Sequence, residues 1–340
     1  MQSVYTLSTP IEVFSRGSAV GKAEFDGPLG HLFDFHDDRE TFGQKTWELA
    51  ESELSHTALS LALNRAGVSH RDVSFLFSGD LQNQCVASSY AHVEEQIPFF
   101  GLYGACSTCT EGLLLASLVL NSVKGSYIAA VVTSSHNSAA ERQFRTPIEY
   151  GGQRSPTAQW TATAGGAFLL RRVSTTSLHP TIVKVMPGIM VDGGISDASN
   201  MGAAMAPAAA ASIVSYLTLT KTTPKDYDAI VTGDLGWEGA DLLTLLLREK
   251  GISLGDVYHD CGKLIYDPKV SDCHCGGSGC GCSASVLAAY FLPKLESGAM
   301  KRVLFLSTGA LMSPSSVQQG GHIVGIAPVI ELRHPSLKGV

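Results

Sequence analysis

Charged residues are scarce in this sequence: they make up 16% of the 340 residues, against about 25% in a typical globular protein. The 24 Lys and Arg are outnumbered by 31 Asp and Glu, so the net charge is −7 at pH 7, and no basic run is present. An acidic chain without a basic patch is a poor candidate for binding nucleic acid or an anionic membrane surface. The apolar content of 44% excludes a disordered chain. We expect much of the surface to be covered by a partner or by a second copy.

The sequence also shows no secretion signal and no apolar stretch that we interpret as spanning a membrane. Its first residues show no charged stretch followed by an apolar one. Residues 112–123 are the longest near-apolar stretch that we single out, far shorter than the ~20 residues that cross a bilayer. We therefore expect a protein made in soluble form, without direct membrane insertion, whose membrane attachment is peripheral and through partners. Its eight cysteines are expected to be reduced thiols.

What the chain does contain is an internal repeat. Strand-like runs at residues 73–80 and 227–234 both end in Gly-Asp. Residues 104–107 and 281–283 each begin an apolar helical stretch, which a glycine ends and a strand-like run follows. Alternating strands and helices predict mostly parallel sheets flanked by helices.

The length is more than one hydrophobic core usually serves, so the repeat is interpreted as two fused halves. The predicted halves are residues 1–175 and 176–340.

Cys106 stands in a turn of small residues directly before a predicted helix. Unpaired N–H groups and the positive end of the helix lower the pKa of a thiol at such a place and favour a nearby anion. The alternative is a small buried residue, the usual environment of a free cysteine. Cys106 and Cys109 also have the C-x-x-C spacing of redox proteins, although such proteins are usually much smaller.

A polar segment follows the next predicted strand. Ser135, His136 and Asn137 are expected at the carboxyl end of that strand, where ligands bind in open α/β sheets. Arg142 and Arg145 are suited to bidentate binding of carboxylates. The alternative is that both arginines are ordinary exposed charges and His136 is a loop residue with its hydrogen bonds satisfied.

Five of the eight cysteines lie between Cys261 and Cys282. Thiolates and imidazoles bind zinc, but both close pairs have C-x-C spacing, whereas structural zinc sites favour longer C-x₂₋₄-C pairs. The alternative is that the small-residue turn at residues 276–284 lets the backbone of the second half approach a ligand opposite Cys106. The role of this cluster stays open.

A duplicated α/β body with a cysteine at a helix start resembles the thiolase-like fold. The resemblance implies two pseudo-symmetric mixed sheets with helices in a layered αβαβα arrangement, and an acyltransferase with Cys106 as nucleophile is the enzymatic alternative. Residues 276–278 match the Gly-His-Pro turn of thiolases without its histidine, and residues 308–310 lack the second active-site cysteine. Because condensation needs a base and an oxyanion stabiliser, these losses favour binding over catalysis.

A more specific resemblance, to the stage V sporulation protein AD family, is carried by blocks from end to end. The blocks are FDGPLGHLFD (25–34), QKTWELAE (44–51), SGDLQNQ (78–84), GACST (104–108), TSSHNSAAERQFRTPIEYGGQ (133–153), MGAAMAPAAA (201–210), TGDLG (232–236), HDCGKLIYD (259–267), GGSGCGCSA (276–284) and STGALMSP (307–314).

This resemblance implies a non-enzymatic protein that binds dipicolinic acid, free or as the calcium chelate, without a cofactor or a resident metal. It further implies action with the subunits of the stage V sporulation A membrane channel complex at the forespore or spore inner membrane. Dipicolinic acid would enter the developing spore there and leave it at germination. By analogy with the fold, and from the low charge, we also expect a homodimer.

Dipicolinate is a flat aromatic dianion at neutral pH, so its pocket needs donors for two carboxylates and small residues beside the ring. No catalytic residue is expected. The predicted ligand-binding residues are Cys106, Ser135, His136, Asn137, Arg142, Arg145, Gly277, Ser278, Thr308 and Gly309.

Overall fold

The computed structural model describes residues 2–144, 154–173, 177–269 and 272–337. Its strands are β1 (Tyr5–Gly21), β2 (Phe35–Asp37), β3 (Val73–Gly79), β4 (Phe99–Leu102), β5 (Ile128–Ser135), β6 (Trp160–Thr161), β7 (Ala164–Arg172), β8 (Thr181–Met186), β9 (Val191–Asp192), β10 (Ala229–Thr232), β11 (Tyr258–Asp260), β12 (Gly277–Ser278), β13 (Arg302–Leu306), β14 (Gly309–Leu311), β15 (Val324–Ile326) and β16 (Val329–Arg333).

Its helices alternate with these strands, as the sequence pattern predicts. They are α1 (Lys22–Phe25), α2 (Trp47–Ala66), α3 (Val86–His92), α4 (Thr108–Ser122), α5 (Asn137–Phe144), α6 (Met201–Thr220), α7 (Gly236–Glu249), α8 (Cys261–Ile265), α9 (Cys280–Val286), α10 (Leu292–Glu296) and α11 (Pro314–Gln318), with a π-helical turn (Leu287–Phe291) joining α9 to α10.

The main sheet shows the duplication directly. Its strand order, β11-β10-β13-β16-β8-β1-β7-β5-β3-β4, is the same five-strand order written twice from opposite ends. In each half the three outer strands are parallel and the two inner strands join antiparallel. The predicted duplicated fold is confirmed. The two predicted sheets are, however, joined edge to edge, because β1 pairs with β8. The predicted boundary at residue 175 lies outside the described residues and stays a prediction.

The layers follow from the alternation of side chains along strands that are buried on both faces. In β5, Ala129 and Val131 belong to a central core, whereas Ala130 and Val132 belong to an outer core with α2. Strand β13 divides its side chains in the same way, between the central core and an outer core with α6 and α7. The central core contains α4 and α9, so these two helices form the middle layer, where the halves meet.

Helix α6 corrects our interpretation of the longest apolar stretch. It carries no charged residue over its 20 residues, so by length and composition alone it is able to cross a membrane. In the fold, 67% of its most apolar window is buried, and it packs against α7 and β15 as a core helix. Small alanine side chains let a helix pack closely against neighbouring backbone, so an alanine-rich segment is readily buried as a core helix.

Candidate functional site

The first turns of α4 and α9 bring Cys106 and Ser278 together from the two halves. Cys106 lies in a 3₁₀ turn before α4, and Ser278 ends β12 just before α9. The Cys106 Sγ and Ser278 Oγ atoms are 3.6 Å apart, although 172 positions separate the residues in sequence. Gly309, from the second half, packs against the turn that carries Cys106. No side chain fits at this position, because a Cβ would lie 2.3 Å from the Gly104 carbonyl oxygen. Three predicted site residues therefore meet at this junction.

Asp234, two residues after the end of β10, holds the residues of this junction through hydrogen bonds. Its Oδ2 accepts hydrogen bonds from the Gly279 N–H at 2.8 Å and the Ser278 hydroxyl at 3.3 Å. Its Oδ1 accepts from the Thr308 hydroxyl at 2.8 Å, so the predicted residue Thr308 acts through this carboxyl group. Burial without a cationic partner among the described residues raises the pKa of Asp234 to about 7.

The Cys106 thiol behaves opposite to our expectation from its place at a helix start. It is buried, and this desolvation, together with the nearby Asp234 carboxylate, raises its pKa well above the ordinary value. The predicted lowering of the thiol pKa was wrong. Removing a thiolate from water destabilises it more than the helix end and the Ser278 hydroxyl stabilise it. Cys106 is therefore a neutral thiol at physiological pH.

A cavity of about 280 Å³ opens above Cys106 and Ser278. Small and apolar residues form much of its wall, including Leu81, Ala105, Ala140, Ala158, Ala310 and Met312. Its polar residues are Tyr103, Cys106, Glu141, Arg154, Ser155, Gln159, Thr161, Ser199 and Ser278. No histidine is found among the described residues that line it.

Among the described residues that line this cavity, Arg154 supplies the positive charge. Its guanidinium lies 4.7 Å from the ring centroid of Trp160 and donates a hydrogen bond to the Gln159 carbonyl oxygen. Gln159 is itself held, because its amide donates to the carbonyl oxygens of Asp234 and Gly277 at 2.6 and 2.8 Å. The predicted residue Gly277 therefore contributes its backbone to the support of the site.

Ser135 ends β5, and His136 and Asn137 follow it directly, as predicted, but none of the three lines this cavity. The Ser135 hydroxyl donates to the Ala162 carbonyl oxygen at 2.7 Å, and the Asn137 amide donates to the Thr161 carbonyl oxygen at 3.2 Å. His136 is fully buried, and its Nε2 lies 2.7 Å from the Glu40 carbonyl oxygen. These three side chains hold the chain between β5 and α5, beside the site.

The two predicted arginines have separate outcomes. Arg142 forms an ion pair with Glu48 and lines a second cavity, of about 260 Å³, with Gln82 and Gln143. Arg145 lies outside the described residues, so its role stays a prediction.

The cysteine cluster forms part of the core. Cys261, Cys273 and Cys282 are buried in the central core, and Cys280 packs against Cys106, Leu81 and Ala140 beneath the cavity. All eight cysteines are free thiols. Within the described ranges no group of three metal-binding side chains is placed to hold a metal ion.

Sequence reasoning missed Asp234 and Arg154. The signal for Asp234 was present, since the repeat ends both strand-like runs in Gly-Asp, and the equivalent Asp80 is also buried with a raised pKa. An acidic residue that ends a buried strand is expected to have a specific role. Nothing local distinguishes Arg154 from other arginines, because only the fold carries it to the cavity.

Comparison with known proteins agrees with the geometry. The solved structures most like this chain include 3-oxoacyl-[acyl-carrier-protein] synthase III from Aquifex aeolicus VF5, with a TM-score of 0.56 and 12% identity, covering 95% of this chain and 100% of that one. Acetamide-bound OleA from Xanthomonas campestris has a TM-score of 0.60 and 13% identity, with coverage of 96% and 100%. At these identities the likeness shows the fold, which is thiolase-like.

Closer relationships come from sequence. The family model of stage V sporulation protein AD matches residues 1–333. Stage V sporulation protein AD of Bacillus subtilis (strain 168) is 42% identical over 328 residues, covering 96% of this chain and 95% of that protein. The chain therefore belongs to the stage V sporulation protein AD family.

Proposed function

We propose that this protein binds dipicolinic acid without catalysis and works as the soluble component of the stage V sporulation A membrane channel complex. In this role it binds the ligand for the channel during uptake into the developing spore and during release at germination. The family membership supports a place in sporulation. One observation carries the ligand assignment: Arg154 shares a small, largely apolar cavity with the neutral donors of Cys106 and Ser278.

The cavity suits a flat aromatic dicarboxylate. The Arg154 guanidinium is able to bind one carboxylate through paired hydrogen bonds, and its stacking on Trp160 keeps it oriented. The thiol of Cys106 and the hydroxyl of Ser278 are able to donate to the second carboxylate. Alanines on the cavity wall leave room for a planar ring, and Glu141 provides a carboxylate for the calcium of the chelate.

The same geometry argues against acyl transfer. Cys106 remains a neutral thiol because burial and Asp234 raise its pKa, whereas a nucleophilic cysteine needs a base or a lowered pKa. Among the described residues that line the cavity, none is a histidine able to take the thiol proton. The enzymatic alternative is tested by incubation with acyl-CoA thioesters and intact mass measurement. An acyl adduct that disappears in Cys106→Ala would overturn the purely binding role.

Calorimetric titration with dipicolinate, with and without calcium, tests the binding proposal. Losing a charge-assisted hydrogen bond costs about 1.5–3 kcal/mol, so Arg154→Ala should weaken binding about 10- to 150-fold. Arg142→Ala is the matched control, since Arg142 pairs with Glu48 in the other cavity, and it should bind like the wild type. The absence of binding by the wild type up to millimolar dipicolinate, in both conditions, would refute the proposal.

We further propose that the protein is a homodimer. Strand β4 is an outer strand of the sheet, and aromatic side chains are exposed on and near it, with Tyr90 at 63%, Phe99 at 41% and Phe100 at 47% exposure. Two β4 edges related by a two-fold axis would pair and cover these rings. Light scattering at micromolar concentration should give twice the chain mass, and Phe100→Glu should give a monomer. A wild-type protein that scatters as one chain would contradict this.

A further inference from the structure

The surroundings of Asp234 contain donors but no compensating charge. Its carboxylate is completely buried, and the groups that donate to it, from Cys106, Ser278, Gly279 and Thr308, are neutral. No ion pair within the described residues includes it. The titratable groups that face it are the Asp260 carboxyl and the thiols of Cys106, Cys261 and Cys282. None of these supplies a positive charge at neutral pH.

Two side chains connect this carboxylate to the cavity, the Ser278 hydroxyl and the Cys106 thiol. The Ser278 Oγ lies 3.3 Å from Asp234 Oδ2 and 3.6 Å from Cys106 Sγ, and both Ser278 and Cys106 line the cavity. A ligand carboxylate bound at these two donors would therefore stand one hydroxyl away from a second buried negative charge. Like charges repel strongly where water is excluded, and protonation of one group removes the repulsion.

We propose that an anionic ligand enters this cavity together with one proton, which Asp234 takes up from the solvent. This inference rests on the proposed function and specifies how the same site accepts a negative charge. The only bond formed is the O–H bond of Asp234. The protonated carboxyl then donates to the Ser278 oxygen, and the Ser278 hydrogen turns from Asp234 to the ligand carboxylate. Asp234 is thus a positioning residue that acts through Ser278.

The protonation state of the empty site supports this exchange. Burial raises the pKa of Asp234 to about 7, so the carboxyl group is largely ionised at pH 8 and already protonated at pH 5.5. Proton uptake should therefore be close to one per ligand at pH 8 and close to zero at pH 5.5. By linkage, the dissociation constant for a carboxylate ligand should rise nearly tenfold per pH unit above pH 7.

Calorimetry in two buffers of different ionisation enthalpy, HEPES and Tris, counts the protons. At pH 8 the apparent binding enthalpy of dipicolinate should differ between the buffers by an amount that corresponds to about one proton. In Asp234→Asn, which keeps the shape and an oxygen for the Gly279 N–H, dipicolinate should still bind. The apparent binding enthalpy of this variant should be the same in both buffers, and its affinity for dipicolinate should be independent of pH between 6 and 8.5.

Two further variants make the assignment specific. Thr308→Val removes one donor to the carboxylate, which raises the pKa of Asp234 further and shifts the pH dependence of binding to higher pH. Asp80→Asn removes the equivalent buried carboxyl of the first half, which does not line the cavity, and should leave the proton count unchanged. Because Thr308→Val keeps Asp234 in place, it decides the question even where Asp234→Asn fails to fold.

The outcomes separate the two proposals. Dipicolinate binding without buffer dependence at pH 8, or with the same proton count in Asp234→Asn, would overturn the proton coupling and leave the binding function standing. The absence of any binding heat for the wild type in both buffers would overturn both.

Discussion

At the scale of single residues, Cys106 shows how burial and a helix start act in opposite directions on one thiol. The turn before α4 offers backbone N–H groups, which favour a thiolate. The same turn lies in the middle layer, where desolvation and the Asp234 carboxylate raise the thiol pKa. Desolvation is the larger effect, so the residue type and its position along the helix did not suffice to predict its reactivity.

This balance predicts slow alkylation of Cys106. At pH 7.5 an ordinary thiol is about one-tenth ionised, and each unit by which its pKa rises lowers the thiolate fraction about tenfold. Labelling of the native protein with iodoacetamide, followed by peptide mass analysis, should modify Cys106 at least about tenfold more slowly than free cysteine. Cys106→Ala identifies the peptide. Labelling as fast as free cysteine would show that the thiol is activated, and it would favour the acyltransferase.

At the scale of secondary-structure elements, the site depends on how closely α9 approaches the strands of the first half. Gly281, in the first turn of α9, faces backbone on two strands: a Cβ there would lie 1.9 Å from the Ala164 carbonyl oxygen and 2.7 Å from the Ser135 nitrogen. Backbone atoms in a sheet have little room to move. The beginning of α9, and with it Ser278, is therefore positioned by contact with β5 and β7.

We expect Gly281→Ala to lower the free energy of unfolding by at least about 2 kcal/mol, because the methyl group has to displace backbone. The matched variant is Gly112→Ala in α4, where the nearest atom to a Cβ is a Val131 methyl carbon at 2.8 Å and alanine gains about 1 kcal/mol in helix propensity. Its loss should be smaller. Urea unfolding of both variants provides the measurement, and equal stability of the two would argue against a backbone constraint on α9.

At the scale of the whole molecule, the net charge of −7 is accompanied by several carboxyl groups that burial keeps partly protonated. Desolvation raises the pKa of Glu24 and Asp234 to about 7 and that of Asp260 to about 6. Glu51 and Asp80, a buried pair, also have raised pKa values. The Arg302 guanidinium acts oppositely on Glu331, whose pKa it lowers.

These shifts predict that the protein is most stable on the acid side of neutrality. A carboxyl group whose pKa is raised by folding binds its proton more tightly in the folded chain, so stability falls as pH rises from about 4.5 to 7. For a group such as Glu24 the loss amounts to about 3 kcal/mol. The Tm at constant ionic strength should be highest near pH 5 and lower at pH 8. Glu24→Gln should flatten this dependence, and a Tm that rises between pH 5 and 8 would contradict it.

Much of the fold and part of the site were predictable from local sequence. The repeated Gly-Asp runs correctly predicted β3 and β10, and the glycine-bounded apolar stretches predicted α4 and α9, because these patterns reflect strands and helices with their own local periodicity. Cys106 and Ser278 were predicted to share a site, and they are within contact distance. Arg142 was the more conspicuous arginine in the sequence, but its fold position pairs it with Glu48.

The sequence by itself determined the duplicated α/β architecture, the family and the turn of small residues at which the halves meet. Only the tertiary structure decided which side chains share the cavity. Arg154 and Ser278, which line the cavity, and Asp234, which accepts a hydrogen bond from Ser278, come from three distant segments. Their meeting depends on the packing of α9 against the first half. The protonation states of Cys106 and Asp234 were decided there too, because desolvation depends on everything that surrounds a group and not on its neighbours in the chain.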